Sequence, residues 1–117
     1  MTLSAFRTLI ESVNDNAFKD KVAYRAFPVG EAPELPFVCL VETETDNMTA
    51  DSKVYAKRQY VNVELYEDYK DPDLETALET VLDDNNIIWN KAESYIDDED
   101  TIMVVYEVVI DGKCNQT

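Results

Sequence analysis

The stretch YVNVELYEDYKDPDLETALETVL, residues 60–82, decides the fold, because its hydrophobic period changes halfway along it. Val61, Val63 and Leu65 alternate with polar residues, and this period of two predicts a half-buried strand. Asp71 followed by Pro72 predicts a helix start, since aspartate caps a first turn and proline needs no backbone donor there. The apolar stripe beyond it, spaced three and four residues apart as in a helix, consists of Leu74, Ala77, Leu78, Val81 and Leu82.

The flanking segments extend this strand–helix unit into a single domain over residues 1–117. A first helix is predicted from a cap at Thr2 or Ser4 to about residues 14–16. The other predicted segments are strands at 21–27, 36–45, 53–67, 87–96 and 101–110, turns at 46–52 and 97–100, and a frayed tail at 110–117. This order, α-β-β-β-α-β-β, predicts an α+β fold whose sheet of about five strands is mostly antiparallel or mixed, with two helices on one face. The last strand is apolar on both faces, which favours a central or doubly covered position.

Composition narrows the classes of function. The chain has 117 residues, 25 acidic and 10 basic side chains, and a formal net charge of -15. This balance argues against binding to nucleic acid or to an anionic membrane, because both require lysine and arginine. Histidine is absent, which removes the commonest general base and most zinc sites. Two cysteines without a secretory signal favour a reduced cytoplasmic setting, and no apolar run reaches the ~20 residues that span a bilayer.

Two acidic clusters are candidates for metal or acid–base sites. The run DDED at 97–100 has four adjacent acids without the spacing or glycine of a calcium loop, so it is interpreted as a solvated turn. Glu42, Glu44 and Asp46 share a strand face without an accompanying base or nucleophile, so they are interpreted as exposed. No catalytic, metal or cofactor site is therefore predicted, and the chain is expected not to be an enzyme.

The second helix carries a candidate interface. Glu75, Glu79 and Asp83 follow one another four residues apart and repel, while residues 71–86 contain no lysine or arginine to offset them. A solvated face is one interpretation. The other is that this acidic stripe meets a basic patch of another subunit, for which Lys53, Lys57 and Arg58 are the candidates on this chain. Complementary surfaces on one chain favour a head-to-tail contact, which can close into a ring.

The segment FPVGEAPELPF, residues 27–37, holds three of the four prolines and one of the two glycines. Proline fixes φ and glycine permits a tight turn, so the segment is predicted to be a stiff, extended arm. Its apolar residues indicate packing on the same domain or on a neighbouring subunit. The candidate contact residues of the arm are Val29, Gly30, Glu31, Pro33 and Leu35.

This arm and the segments around it resemble a known family. The order of VAYRAFPVGEAPELPFVCL, then NMTADSKVYAKRQYVNVELYEDYKDPDLETALETVL, then IIWNKAESYI and VVYEVVI is similar to tail terminator or tail-completion proteins of long-tailed phages and prophages of Gram-positive bacteria. The resemblance covers about residues 3–110. It implies a hexameric ring that caps the tail tube and meets the head connector proteins. It also implies location at the head–tail junction of the virion after assembly in the host cytoplasm, with DNA passing through but not bound specifically.

Three alternatives stay open at this point. One is another neck protein of the same particle, such as a head-completion protein or connector adaptor. A second is an acidic DNA-mimic inhibitor, which would bind a basic enzyme directly. The third is a metal-dependent hydrolase that uses Glu42, Glu44 and Asp46.

Overall fold

This computed structural model describes residues 1–50 and 53–113, with side chains for 1–46 and 57–111. The helical segments are α1 (Leu3–Glu11), a four-residue turn α2 (Val13–Asn16) and α3 (Pro72–Asp84). The strands are β1 (Val22–Tyr24), β2 (Phe37–Ala50), β3 (Lys53–Glu67), β4 (Trp89–Ile96) and β5 (Thr101–Lys113). They form one five-stranded sheet in the spatial order β1-β2-β3-β5-β4. β1 is parallel to β2 and the other neighbours are antiparallel, so the predicted α+β fold is confirmed with a mixed sheet.

Side-chain caps start both long helices where the sequence predicts. The backbone N–H of Ala5 donates to Thr2 Oγ1 at 3.0 Å, and that of Leu74 donates to Asp71 Oδ1 at 3.2 Å. These bonds satisfy donors that the first turn of a helix leaves without a partner. The chain turns sharply after α1 because Asn14 and Asp15 adopt left-handed conformations with φ of 53° and 59°.

Both long helices contribute to one core on a single face of the sheet. The helical residues Phe6, Ile10, Leu74, Leu78 and Leu82 are buried in it. The sheet contributes the alternating, inward-facing residues Val22, Val38, Leu40, Val61, Val63, Leu65, Val104, Tyr106, Val108 and Ile110. β5 lies between β3 and β4, which agrees with the interior position predicted from its two apolar faces.

The first strand is shorter than the predicted 21–27. It ends after Tyr24 because Arg25 adopts a left-handed conformation with φ of 70°, and Ala26 N–H donates to the Tyr24 carbonyl at 2.8 Å. The fourth strand also starts late, at Trp89, and Ile87 before it packs into the core. At the other end of β4, a 3₁₀ turn Asp97–Glu99 followed by left-handed Asp100 forms the predicted acidic turn.

The β2–β3 hairpin is longer than predicted. Residues 46–50, assigned to a turn from their composition, continue β2 and pair with β3 up to Ala50 opposite Lys53. Cross-strand hydrogen bonds here override the local turn preference of Asp46 and Asn47. The remaining turn residues, 51–52, lie outside the described residues.

The tail also differs from its prediction. β5 continues through Lys113 and pairs with β3, so fraying from residue 110 is wrong for 110–113. Residues 114–117, including Cys114, lie outside the described part of the chain. Within that part, no helix is long and apolar enough to cross a membrane.

Candidate functional site: the assembly surfaces

The base of the proline arm is fastened to the sheet by aromatic packing. The rings of Phe27 and Phe37 meet edge to face at 5.2 Å, and Phe37 stacks on Tyr66 of β3 at 5.1 Å. These rings lie on the face of the sheet opposite the helices. The start and end of the arm are therefore held together by one aromatic cluster, with geometry that aromatic pairs favour.

The tip of the arm is exposed. Gly30 has φ of 81°, and Glu31 N–H donates to the Pro28 carbonyl at 2.9 Å, which closes a turn. Val29 is fully exposed on this turn, while Pro33 and Leu35 are half-buried. The predicted arm residues thus divide into a packed base and a free apolar tip. Holding an apolar residue in a closed turn lowers the ordering cost of a contact with another molecule.

The predicted basic patch does not form a single surface. Lys57 and Arg58 are adjacent in β3, and successive side chains of a strand point to opposite faces. Both residues are exposed, and Arg58 Nε lies 3.6 Å from Asp111 Oδ1 of β5. Hydrogen bonding to Tyr60 and the charge of Asp111 raise the pKa of Arg58. Lys53 lies at the start of β3, but its side chain is outside the description.

The acidic stripe of α3 is paired within the chain, by lysines that lie outside residues 71–86. Glu75 is buried, and its Oε1 lies 2.8 Å from Lys70 Nζ and 2.7 Å from Lys91 Nζ. Glu79 Oε2 accepts hydrogen bonds from Lys91 Nζ and from the Tyr106 hydroxyl, both at 2.7 Å. The basic partners come from the loop before α3 and from β4, which the spacing along the helix does not reveal.

The same network holds α3 against the sheet at both ends. Trp89 Nε1–H donates to Asp83 Oδ1 at 2.9 Å, and Lys70 also pairs with Glu93 of β4. Of the three predicted acids, only Asp83 is exposed. The network therefore packs the helix onto its own sheet, and Glu75 and Glu79 have their partners within the chain and not on another subunit.

The charges of this network follow from its contacts. Burial would raise the pKa of Glu75, but hydrogen bonds from Lys70 and Lys91 outweigh burial and lower it. Burial likewise opposes the charge on Lys91, yet hydrogen bonds to Glu75 and Glu79 raise its pKa. Burial and then the hydrogen bond to Glu79 raise the pKa of Tyr106 well above its ordinary value. Glu75 and Lys91 are thus charged, while Tyr106 is a neutral donor.

A second buried carboxyl group faces Glu75. Glu67, the last residue of β3, is 1% exposed. Three buried carboxyl oxygens, both of Glu67 and Oε2 of Glu75, accept no hydrogen bond from an amine, amide or hydroxyl group of the described residues. Burial first, then a hydrogen bond with Glu75 and its charge, raise the pKa of Glu67 to about 8. A proton on Glu67 that is donated to Glu75 Oε2 satisfies two of the three oxygens at once. Glu67 is therefore a neutral carboxylic acid at neutral pH, as buried carboxyls beside a carboxylate often are.

The other candidate acids do not converge. Glu42, Glu44 and Asp46 are exposed along β2, and Glu42 accepts a hydrogen bond from Gln59 of β3. Within the described residues, no group of three or more His, Cys, Asp or Glu side chains is arranged to hold a metal ion.

Cys39 is a free, buried thiol whose pKa is raised to about 11, first by burial and then by the charge of Glu64.

The geometry defines a class: an α+β protein with two helices over one face of a mixed sheet, a free proline arm and a long two-stranded hairpin. Neither a protein-family model nor a curated protein sequence matches the chain significantly.

Proposed function

We propose that this chain is a structural subunit of a phage tail, which forms a ring on the end of the tail tube and provides the tail side of the head–tail junction. The observation that carries the proposal is the arm, whose base is fixed by Phe27, Phe37 and Tyr66 and whose tip presents Val29 to solvent. A ring that docks on a tube end gains from such a preformed contact element, because it lowers the ordering cost of binding. The tail tube and the head connector are proposed as partners because the sequence resemblance, which includes this arm, implies them.

The charge of the chain supports the same proposal. The net charge of -15 gives a ring of these subunits an acidic surface. An acidic channel repels phosphates, so DNA can slide through without being held.

Replacement of Val29 by aspartate tests the arm. We expect Val29→Asp to weaken binding to purified tail tubes by about tenfold or more, because the contact would then desolvate a charge. The melting temperature should not change, since Val29 is exposed. Co-sedimentation with tail tubes measures the binding.

Ile88→Asp is the matched control, because Ile88 is also a highly exposed apolar residue and lies outside the arm. Equal losses in the two variants, or no loss with Val29→Asp, would remove the arm from the contact. Binding to portal or connector rings in place of tail tubes would assign the chain to another neck position.

A further inference from the structure

The two outer strands of the sheet are oriented for pairing between copies. β1 and β4 form opposite edges of the sheet. β1 is parallel to β2, and each of the three following pairs of neighbours is antiparallel, so β1 and β4 run in opposite directions. A second copy placed beside the first, by rotation about an axis along the strands, brings its β4 next to the first copy's β1. The two strands are then antiparallel, and each edge carries backbone groups without a partner in its own sheet.

The register puts the two edges at the same height. Successive cross-strand partners connect Val22 of β1 to Glu93 of β4, so that these two residues lie in one row across the sheet. The partners between them are Val38, Leu65 and Val104. The residues that precede Val22 are therefore level with the residues that follow Glu93.

These level segments carry opposite charge. Lys19 and Lys21 precede β1, whereas the acidic turn 97–100 follows β4. Residues 1–26 contain four basic and three acidic side chains, including Asp20 between the two lysines. Residues 87–100 contain five acidic side chains and one basic side chain. Lys91 is bound to α3 and Glu93 is bound to Lys70, which leaves the four acids of the turn 97–100. Glu11, whose Oε2 accepts from the Asp20 backbone N–H at 3.2 Å, also lies beside Lys19 and Lys21, so the β1 edge is only weakly basic. It still contrasts with the acidic β4 edge in a chain with a net charge of -15.

Each edge strand also exposes a tyrosine. Tyr24 on β1 is 44% exposed and lies under the Arg7 guanidinium, 4.9 Å from the ring centroid. Tyr95 on β4 is 55% exposed and donates to Asp100 of the acidic turn. Tyrosine and arginine are enriched where protein surfaces meet.

We propose that copies of this chain associate head to tail by pairing the β4 edge of one copy with the β1 edge of the next, with the acidic turn 97–100 set against Lys19 and Lys21. The contact is between two different surfaces, so repetition by a constant rotation closes a ring or continues as a filament. It extends the sheet from subunit to subunit. The inference deepens the proposed function by naming its subunit contact, and it rests on that function only for the need to self-associate.

Two charge-reversed variants test the pairing. Lys19→Glu with Lys21→Glu makes the β1 edge acidic, and Asp97→Lys with Asp98→Lys and Glu99→Lys makes the turn basic. Each variant alone opposes like charges at every contact, so we expect self-association weaker than wild type by about tenfold or more. An equal mixture alternates the two variants, opposes unlike charges at every contact, and should restore association. Sedimentation velocity up to about 1 mM chain measures each sample.

A control separates this pairing from a general effect of charge. Glu44→Lys with Asp84→Lys and Glu107→Lys changes three exposed acids on other surfaces and alters the net charge as much as the turn variant does. It should associate like wild type. Wild-type chain that stays monomeric, variants that associate normally, or a mixture that remains as weak as its components would overturn the inference. If rings form and bind tail tubes but ignore these variants, the proposed function stands and this contact is wrong.

Discussion

Leu78→Ala is expected to lower the free energy of unfolding by about 2–5 kcal/mol, the range found for buried leucines. Leu78 lies at the middle of α3 with 0% exposure, in the core cluster between the helices and the sheet. Removing its side chain loses transfer free energy and leaves a cavity that close-packed neighbours fill only in part. Urea denaturation followed by circular dichroism measures the change.

Thr80→Ala on the same helix is the matched control. Thr80 is exposed, so its replacement should change the free energy of unfolding by no more than about 0.5 kcal/mol. A loss below about 1 kcal/mol for Leu78→Ala would mean that α3 does not pack on the sheet through this residue.

Glu67→Gln is expected to stabilise the protein at neutral and alkaline pH. The pKa of Glu67 is raised to about 8 in the folded chain, against 4.5 for a free side chain. Between these values the folded state holds a proton that the unfolded state releases, so stability falls as pH rises through this window. Glutamine keeps a neutral donor toward Glu75 at every pH. The variant should therefore gain over wild type from pH 5 to pH 8, reaching about 2–4 kcal/mol, and then level off.

Chemical denaturation at several pH values between 5 and 9 measures this difference. Asp68→Asn is the control, because Asp68 is the exposed neighbour of Glu67 and its replacement should show no comparable rise with pH. A difference between Glu67→Gln and wild type that does not depend on pH would show that Glu67 is ionised throughout this range. A uniform loss of stability would show that the carboxyl group is bonded in another way.

The sequence predicts best the elements whose signals are local. The bounds of β3 and the start of α3 agree with the structure because alternation and the Asp71–Pro72 cap are fixed by neighbouring residues. The lengths of β2 and β5 depend on pairing with β3, across the hairpin for β2 and over a long stretch of sequence for β5. Asp46–Ala50 and Asp111–Lys113 are strands because each pairs with β3, which their composition cannot show.

The acidic stripe illustrates the same limit at the candidate site. The spacing of Glu75 and Glu79 places them on one face of α3, but it does not say which residues lie opposite. Lys91 is 12 residues beyond Glu79 and comes into contact only because β4 packs beside the helix. Glu67 could have been recognised, since it continues the inward-facing alternation of Val61, Val63 and Leu65.

The mass of the assembly in solution, measured by sedimentation with and without cognate tail tubes, tests the proposed function most directly. The account predicts a closed ring of about six 13.4 kDa chains, formed at high concentration or on the tube, that co-sediments with tube ends. Raising the salt concentration should weaken the ring, because exposed charges are screened over about 8–10 Å at physiological ionic strength. A chain that remains monomeric at every concentration and does not bind tail tubes would contradict the proposal.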